Sequence, residues 1–209
     1  MKLLAIDTST EACSAALLID GNISKRYEVA PRKHAELILP MIDSLLTEAE
    51  LSLQQLDALA FGRGPGAFTG VRIATGVIQG LAYANDLPVI PISSLATLAQ
   101  SVAAEHEHII PAFDARMSEI YCGIYHTNPN GLVELQGEEM VLKPETFSIS
   151  SSKPYFGIGS GWETYHEVLR QRLTDTLIVC DGIRYPTAEY MLPLAIDAFN
   201  RNQAVNAES

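Results

Sequence analysis

The sequence predicts an α/β protein organised around mixed sheets, and three observations predict it. Strand-type hydrophobic patterns up to residue 29 give way to a helical period directly afterwards. Strand and helix patterns then alternate as far as residue 105. The run "KLLAIDTST" near the start is echoed by "HIIPAFDAR" near the middle. In both, an apolar strand ends in or near Asp, small polar residues follow, and a second strand leads to a turn. The echo suggests duplicated halves. So short a match also arises by chance, and both readings stay open on the residues alone.

The elements follow in order. "KLLAID" and "ACSAALLID" read as buried strands, joined through a Gly21-Asn22 turn to "ISKRYEV", which alternates like an edge strand. Residues 33–49 are helical: Ile38, Met41, Ile42, Leu45 and Ala49 share a face, and Leu37 and Leu46 widen it. Pro40 falls inside, predicting a kink or a helix start there. "LDALAFGRG" is a fourth strand, residues 70–84 a second helix, and the short apolar run before Ser93 a fifth strand. "SSLATLAQSVAAE" is a third helix with Ser93 or Ser94 as N-cap. A second lobe is expected from residue 106, with strands "HIIPAFDAR" and "EIYCGIYHT", then loops and short strands over 127–153. "PYFGIGSGW" is a strand and glycine loop, 162–172 a helix, "TLIVCDG" a strand and "TAEYMLPLAIDAFN" a closing helix. The polar tail "RNQAVNAES" is expected to fray. The predicted division is 1–105 and 106–209.

Composition narrows the function classes. The 209 residues are 47% hydrophobic and 19% charged, with a net charge of −11 and no cluster of Lys or Arg. A tRNA or duplex binder needs a basic patch to displace counterions, so direct nucleic-acid binding is disfavoured. Cys13, Cys122 and Cys180 are widely spaced in apolar surroundings and read as buried thiols of a reducing compartment. The N-terminal apolar run breaks at Asp7, which argues against a signal peptide, and no segment has the ~18 apolar residues a membrane span needs. A cytoplasmic protein is expected.

Several residues could carry chemistry, and each has a structural alternative. In "AIDTST", Asp7 could hold a hydrated magnesium while Thr8, Ser9 and Thr10 meet phosphate, or Asp7 could simply cap local N–H groups. Asp114 and Arg116 could meet phosphate, or each other. Gly157, Gly159 and Gly161 could seat an adenosine, or form a tight strand-to-helix turn. "FGRGPGAFTG" looks like a phosphate cradle, yet no lysine follows its glycines and the chain has no GxxxxGK[ST]. The histidines are scattered without metal spacing, and no nucleophile elbow is present. The helix "GVRIATGVIQGLAYA" is apolar on several sides, with Gly76 and Gly80 four apart. It packs either into the chain's own core or against another subunit, with the 33–49 helix beside it.

The segments "LLAIDTSTEACSAAL", "PRKHAELILPMI", "GRGPGAFTGVRIATGVIQGLA", "ISSLATLA" and "AFDARMSEIY" resemble, in matching order, the TsaB (formerly YeaZ) family. Ala67 stands where a serine is common, and beyond residue 150 the match rests on "GIGSGW" and the "MLPLA" helix. The resemblance implies an actin-like ASKHA (ribonuclease H-like) fold of two similar lobes, mixed sheets flanked by helices. Family members usually run somewhat past residue 209, which implies a missing or shortened last segment here. It implies a non-catalytic paralogue of the transferase TsaD, acting in the synthesis of threonylcarbamoyladenosine at position 37 of tRNA. TsaC supplies the threonylcarbamoyl-adenylate. The resemblance further implies that TsaD pairs with this chain through N-lobe helices, that the ATPase TsaE joins the pair, and that the same helices form a homodimer when TsaD is absent. tRNA contacts are then indirect.

TsaD carries an HxxxH metal motif on the helix after the fifth strand, where this chain has Ser94 and Leu98. Neither can replace an imidazole ligand, so catalysis by this chain alone is not expected. The expected partner interface is Ile38, Met41, Leu45, Val71, Ala74, Gly76, Ile78 and Leu81. Asp7, Thr8, Ser9, Asp114, Arg116, Gly157 and Gly159 are expected near any nucleotide, with no cofactor of its own and only weak or complex-dependent ATP or ADP binding. The rivals are an ATP-dependent kinase or ATPase of the same superfold, using Asp7 and Asp114, and a peptidase.

Overall fold

Strands β1 (Lys2–Asp7), β2 (Ala12–Ile19) and β3 (Asn22–Val29) form an antiparallel meander. Helix α1 (His34–Glu48), strand β4 (Ala58–Gly62), helix α2 (Phe68–Asn85), strand β5 (Val89–Ile92) and helix α3 (Ser94–Gln100) follow. The coordinates, a computed structural model, describe residues 1–149, 153–172, 177–179 and 183–208. The first sheet has the order β3-β2-β1-β4-β5, with β4 parallel to both β1 and β5.

The apolar runs of β1 and β2 are continuous because both faces of the sheet are covered. Leu4, Ile6, Cys13, Ala15 and Leu17 meet α1 and α2 on one face. Leu3, Ala5, Ala16 and Leu18 meet the closing helix α6 (Ala188–Asn200) on the other. Each fully buried Leu or Ile contributes roughly 1.5–3 kcal/mol. Ser93 caps α3 through its hydroxyl, which accepts from the amides of Leu95 (3.1 Å) and Ala96 (3.2 Å).

A second compact unit contains β6 (His108–Arg116), β7 (Glu119–Cys122), β8 (Tyr125–Thr127), β9 (Val133–Leu135), β10 (Met140–Leu142), β11 (Tyr155–Ile158), α4 (Ser160–Thr164), α5 (His166–Arg172) and β12 (Leu177–Val179). Its main path is β10-β7-β6-β11-β12. β6, β7 and β10 pair antiparallel, while β11 is parallel to β6 and β12. This is the plan of the first sheet strand for strand. The repeat of a ribonuclease H-like sheet in two lobes gives the chain its actin-like ASKHA fold class.

Four expectations are corrected. Met1–Thr97 and Pro186–Ser209 form one unit and Leu98–Tyr185 the other, so the closing helix belongs to the first lobe and not to a 106–209 lobe. The apolar face of α6 (Met191, Leu192 and Ala195) completes the first sheet's second face. Helix α1 runs through Pro40, whose ring faces solvent, so the helix does not begin there. The "EIYCGIYHT" run breaks at Gly123-Ile124 into β7 and β8, which pair with different parts of β6. The 162–172 helix is two short helices interrupted at Tyr165. Cys13 and Cys122 are buried free thiols, while Cys180 lies outside the described residues.

Candidate functional site

Asp7 closes β1, and the chain turns sharply after it. Its Oδ1 accepts from the Ser9 amide (2.8 Å) and the Ser9 hydroxyl (2.7 Å), and its Oδ2 accepts from Ser94 (3.4 Å). Thr8 Oγ1 donates to the Gly70 carbonyl at 2.7 Å. Asp7, Thr8 and Ser9 are 1%, 0% and 0% exposed. Burial raises the Asp7 pKa from its ordinary value to about 6, while hydrogen bonds from Ser9 and Ser94 oppose the rise. Thr10 Oγ1 is buried without a hydrogen-bond partner among the described residues.

The glycine loop lies flat on this turn. A Cβ at Gly62 would overlap the Asp7 carboxylate, one at Gly66 the Ser9 carbonyl, and one at Gly70 the Thr8 carbonyl. The Ala67 amide donates to Ser9 O at 2.7 Å, and the Ser94 amide to Gly64 O at 2.9 Å. Gly64, with φ +89°, makes the turn between them. The glycines serve close backbone packing against the turn that holds Asp7, Thr8 and Ser9.

In the second unit Asp114 repeats the motif. Its Oδ1 accepts from the Arg116 amide (2.9 Å) and from Tyr165 (3.2 Å), while Arg116 Nη1 lies 3.5 Å from Oδ2. The Asp114 amide donates to Ser160 Oγ at 3.2 Å. Asp114 and Arg116 thus meet each other, at a hairpin whose residues Arg116, Met117 and Ser118 all have positive φ. Gly157 lies against the Trp162 ring, and Gly159 and Gly161 against Ala112. The Trp162 indole donates to Ile110 O at 2.7 Å. These glycines make the strand-to-helix turn.

Helix α2 exposes two large apolar side chains of the first unit. Phe68 and Tyr83, each 70% exposed, stand near its two ends, with Arg72 placed 3.8 Å over the Phe68 ring. Gly76 and Gly80 lie between them on the solvent side, and apart from the helix's own adjacent backbone nothing among the described residues is within 4 Å of where their Cβ atoms would be. Leu39 and Pro40 of α1 are also exposed. Of the residues expected at an interface, Ile38, Leu45 and Ala74 are 0% exposed and Ile78 1%. These four fill the chain's own core and are removed from the interface. Met41, Val71 and Leu81 are half-buried, and Gly76 is open. Phe68, Tyr83 and Leu39, exposed on the same two helices, are not among the residues expected at an interface, while Gly80 is noted in the sequence beside Gly76. The four-residue spacing of Phe68, Arg72, Gly76 and Gly80 is the sequence signal that marks this row.

Among the described residues, no three His, Cys, Asp or Glu side chains form a group that could hold a metal, and no helix is long and apolar enough to cross a membrane.

Comparison with known proteins gives concordant matches. A family model described as TsaD, tRNA N6-adenosine threonylcarbamoyltransferase, matches residues 24–156. The tRNA threonylcarbamoyladenosine biosynthesis protein TsaB of Escherichia coli K12 is 41% identical, covering 100% of this chain and 91% of that protein. TsaB of Haemophilus influenzae is 40% identical, covering 99% of this chain and 90% of its own length. The solved structure of YeaZ from Pseudomonas aeruginosa superposes with a TM-score of 0.93 at 48% identity, covering 100% of this chain and 96% of that one.

Proposed function

The chain belongs to the TsaB (YeaZ) family of tRNA threonylcarbamoyladenosine biosynthesis proteins, and from that membership we propose that it is the non-catalytic scaffold and activator of the transferase TsaD. It dimerises with TsaD through the outward face of α2 and the adjoining side of α1. TsaE joins that pair, and two copies meet on the same face when TsaD is absent. The complex works in the cytoplasm, with tRNA bound mainly by the partners, in keeping with the net charge of −11. The chain carries no resident cofactor, and ATP or ADP binding belongs to the assembled complex.

The observation that carries this reading is the Gly76–Gly80 row. Each interior glycine costs a helix about 1 kcal/mol relative to alanine, and apart from the helix's own adjacent backbone no atom of the described residues comes within 4 Å of either missing side chain. A partner helix crossing there uses the space, with Phe68 and Tyr83 as apolar flanks. The non-catalytic part is supported by the positions matching the transferase's histidine pair. Ser94 there bonds Asp7, and Leu98 is fully buried.

Purified chain mixed with TsaD at micromolar concentration should co-elute with it on size exclusion, and Mg-ATP titrated into the isolated chain should give no binding or turnover. Separate elution removes the scaffold reading. Turnover of ATP by the chain alone would favour the kinase or ATPase alternative.

A further inference from the structure

Residues 201–208 do not fray. Asn202, with φ 57°, turns the chain back after α6, its amide donating to Phe199 O (3.0 Å) and the Gln203 amide to Ala198 O (2.9 Å). Val205 and Val89 then exchange two backbone hydrogen bonds, of 2.9 and 2.8 Å, as an antiparallel bridge. β5 is the outer strand of its sheet, so this segment takes the place of a sixth strand. Pro88 and Ile92 turn their carbonyls towards the β4 side, accepting from Leu59 and Arg63, which leaves Val89 and Pro91 for the open edge. Pro91 has no N–H to leave unpaired, so the bridge and the proline together blunt that edge.

The same segment is tied to α2. Gln79 Nε2 donates to Ala207 O at 3.0 Å, and the Ala207 side chain packs on the core shared by α1 and α2. A hollow of about 120 Å³ lies between α2, β5 and this segment, lined by Phe61, Ile78, Val89, Pro91 and Val205 among others. Gln79 stands on the solvent side of α2 beside Gly76 and Gly80. The segment is therefore continuous with the row assigned to the partner.

We infer that residues 204–208 form an edge strap that holds α2 against β5 and extends the TsaD-facing surface past Gln79. The inference rests on the docking reading above. Gln79 is a positioning residue in it: its carboxamide fixes both the strap and the middle of the docking helix.

Hydrogen–deuterium exchange on the full chain, with and without purified TsaD, separates the two claims. Exchange over 204–208 is expected to slow by roughly tenfold or more on binding, together with exchange in α2. In the free protein Gln79→Ala should speed exchange over 204–208 at unchanged Tm, and weaken association with TsaD by roughly tenfold. Protection confined to α2 overturns the strap and leaves the docking reading in place, as does wild-type affinity in Gln79→Ala. No protection in either segment overturns the docking reading and the strap with it.

Discussion

The α-carbon of Gly70 lies against the backbone carbonyl of Thr8, and the Thr8 hydroxyl returns a hydrogen bond of 2.7 Å to the Gly70 carbonyl. The first turn of α2 is thereby locked onto the turn after β1. Gly62 and Gly66 extend the same contact to Asp7 and Ser9.

Glycines of this one stretch should respond in opposite ways. Gly70→Ala places a methyl group into the Thr8 carbonyl and should destabilise the fold by about 1–3 kcal/mol. Gly76→Ala meets open space in mid-helix and should stabilise it by about 1 kcal/mol. Urea unfolding of both variants checks the pair, and equal effects would contradict the packing described.

Asp7 should make stability pH-dependent in an unusual sense. Its folded pKa of about 6 lies above the ordinary value of 3.8, so the native state binds the proton more tightly than the unfolded chain. Ionised Asp7 therefore costs the fold about 3 kcal/mol above pH 6, and the cost fades as pH falls from 6 towards 4. Asp7→Asn should remove this dependence and gain more, relative to wild type, at pH 8 than at pH 4. Parallel stability profiles for the two proteins would refute it.

Ile38 and Leu39 are adjacent on α1 but differ in environment, the first fully buried and the second half exposed. Ile38→Ala should cost about 2–5 kcal/mol. Leu39→Ala should cost under about 1 kcal/mol, because little buried contact is lost. Thermal or denaturant midpoints distinguish them directly.

Burial pushes the Cys13 thiol up to about 11 and the Cys122 thiol up to about 12. Both should resist iodoacetamide at pH 8 in the native protein and react promptly once urea unfolds it. Intact-mass measurement over time reads this out, and rapid native alkylation at either site would contradict it.

Much of the first lobe was legible because its strands and helices carry different periods and because Gly and Ser mark their ends. The strand-for-strand repeat was visible only as a short echo, since a shared sheet plan needs only similar alternation and not similar residues. Which side of α2 faces inward was not legible. Ala74 and Val77 have comparable polarity, and the choice of core face is made by β1, β2 and β4, distant in sequence. The return of α6 to the first sheet and the docking of Val205 on Val89 depend on pairings far apart in the chain, which local patterning does not encode. The Asp7 turn was legible as a turn, but its burial follows from three glycines whose purpose appears only when the loop is folded over it.

The central claim is that the outward row of α2 is where the partner docks. Gly76→Arg tests it most directly: the site is open, arginine is a better helix former than glycine, and the variant should be at least as stable as wild type. Ala74→Arg is unsuitable, because it would force a charge into the core at a fully buried position. In size exclusion with purified TsaD, the folded Gly76→Arg chain is expected to elute apart from TsaD while wild type elutes with it. Co-elution of the folded variant with TsaD, at wild-type affinity, would contradict the account.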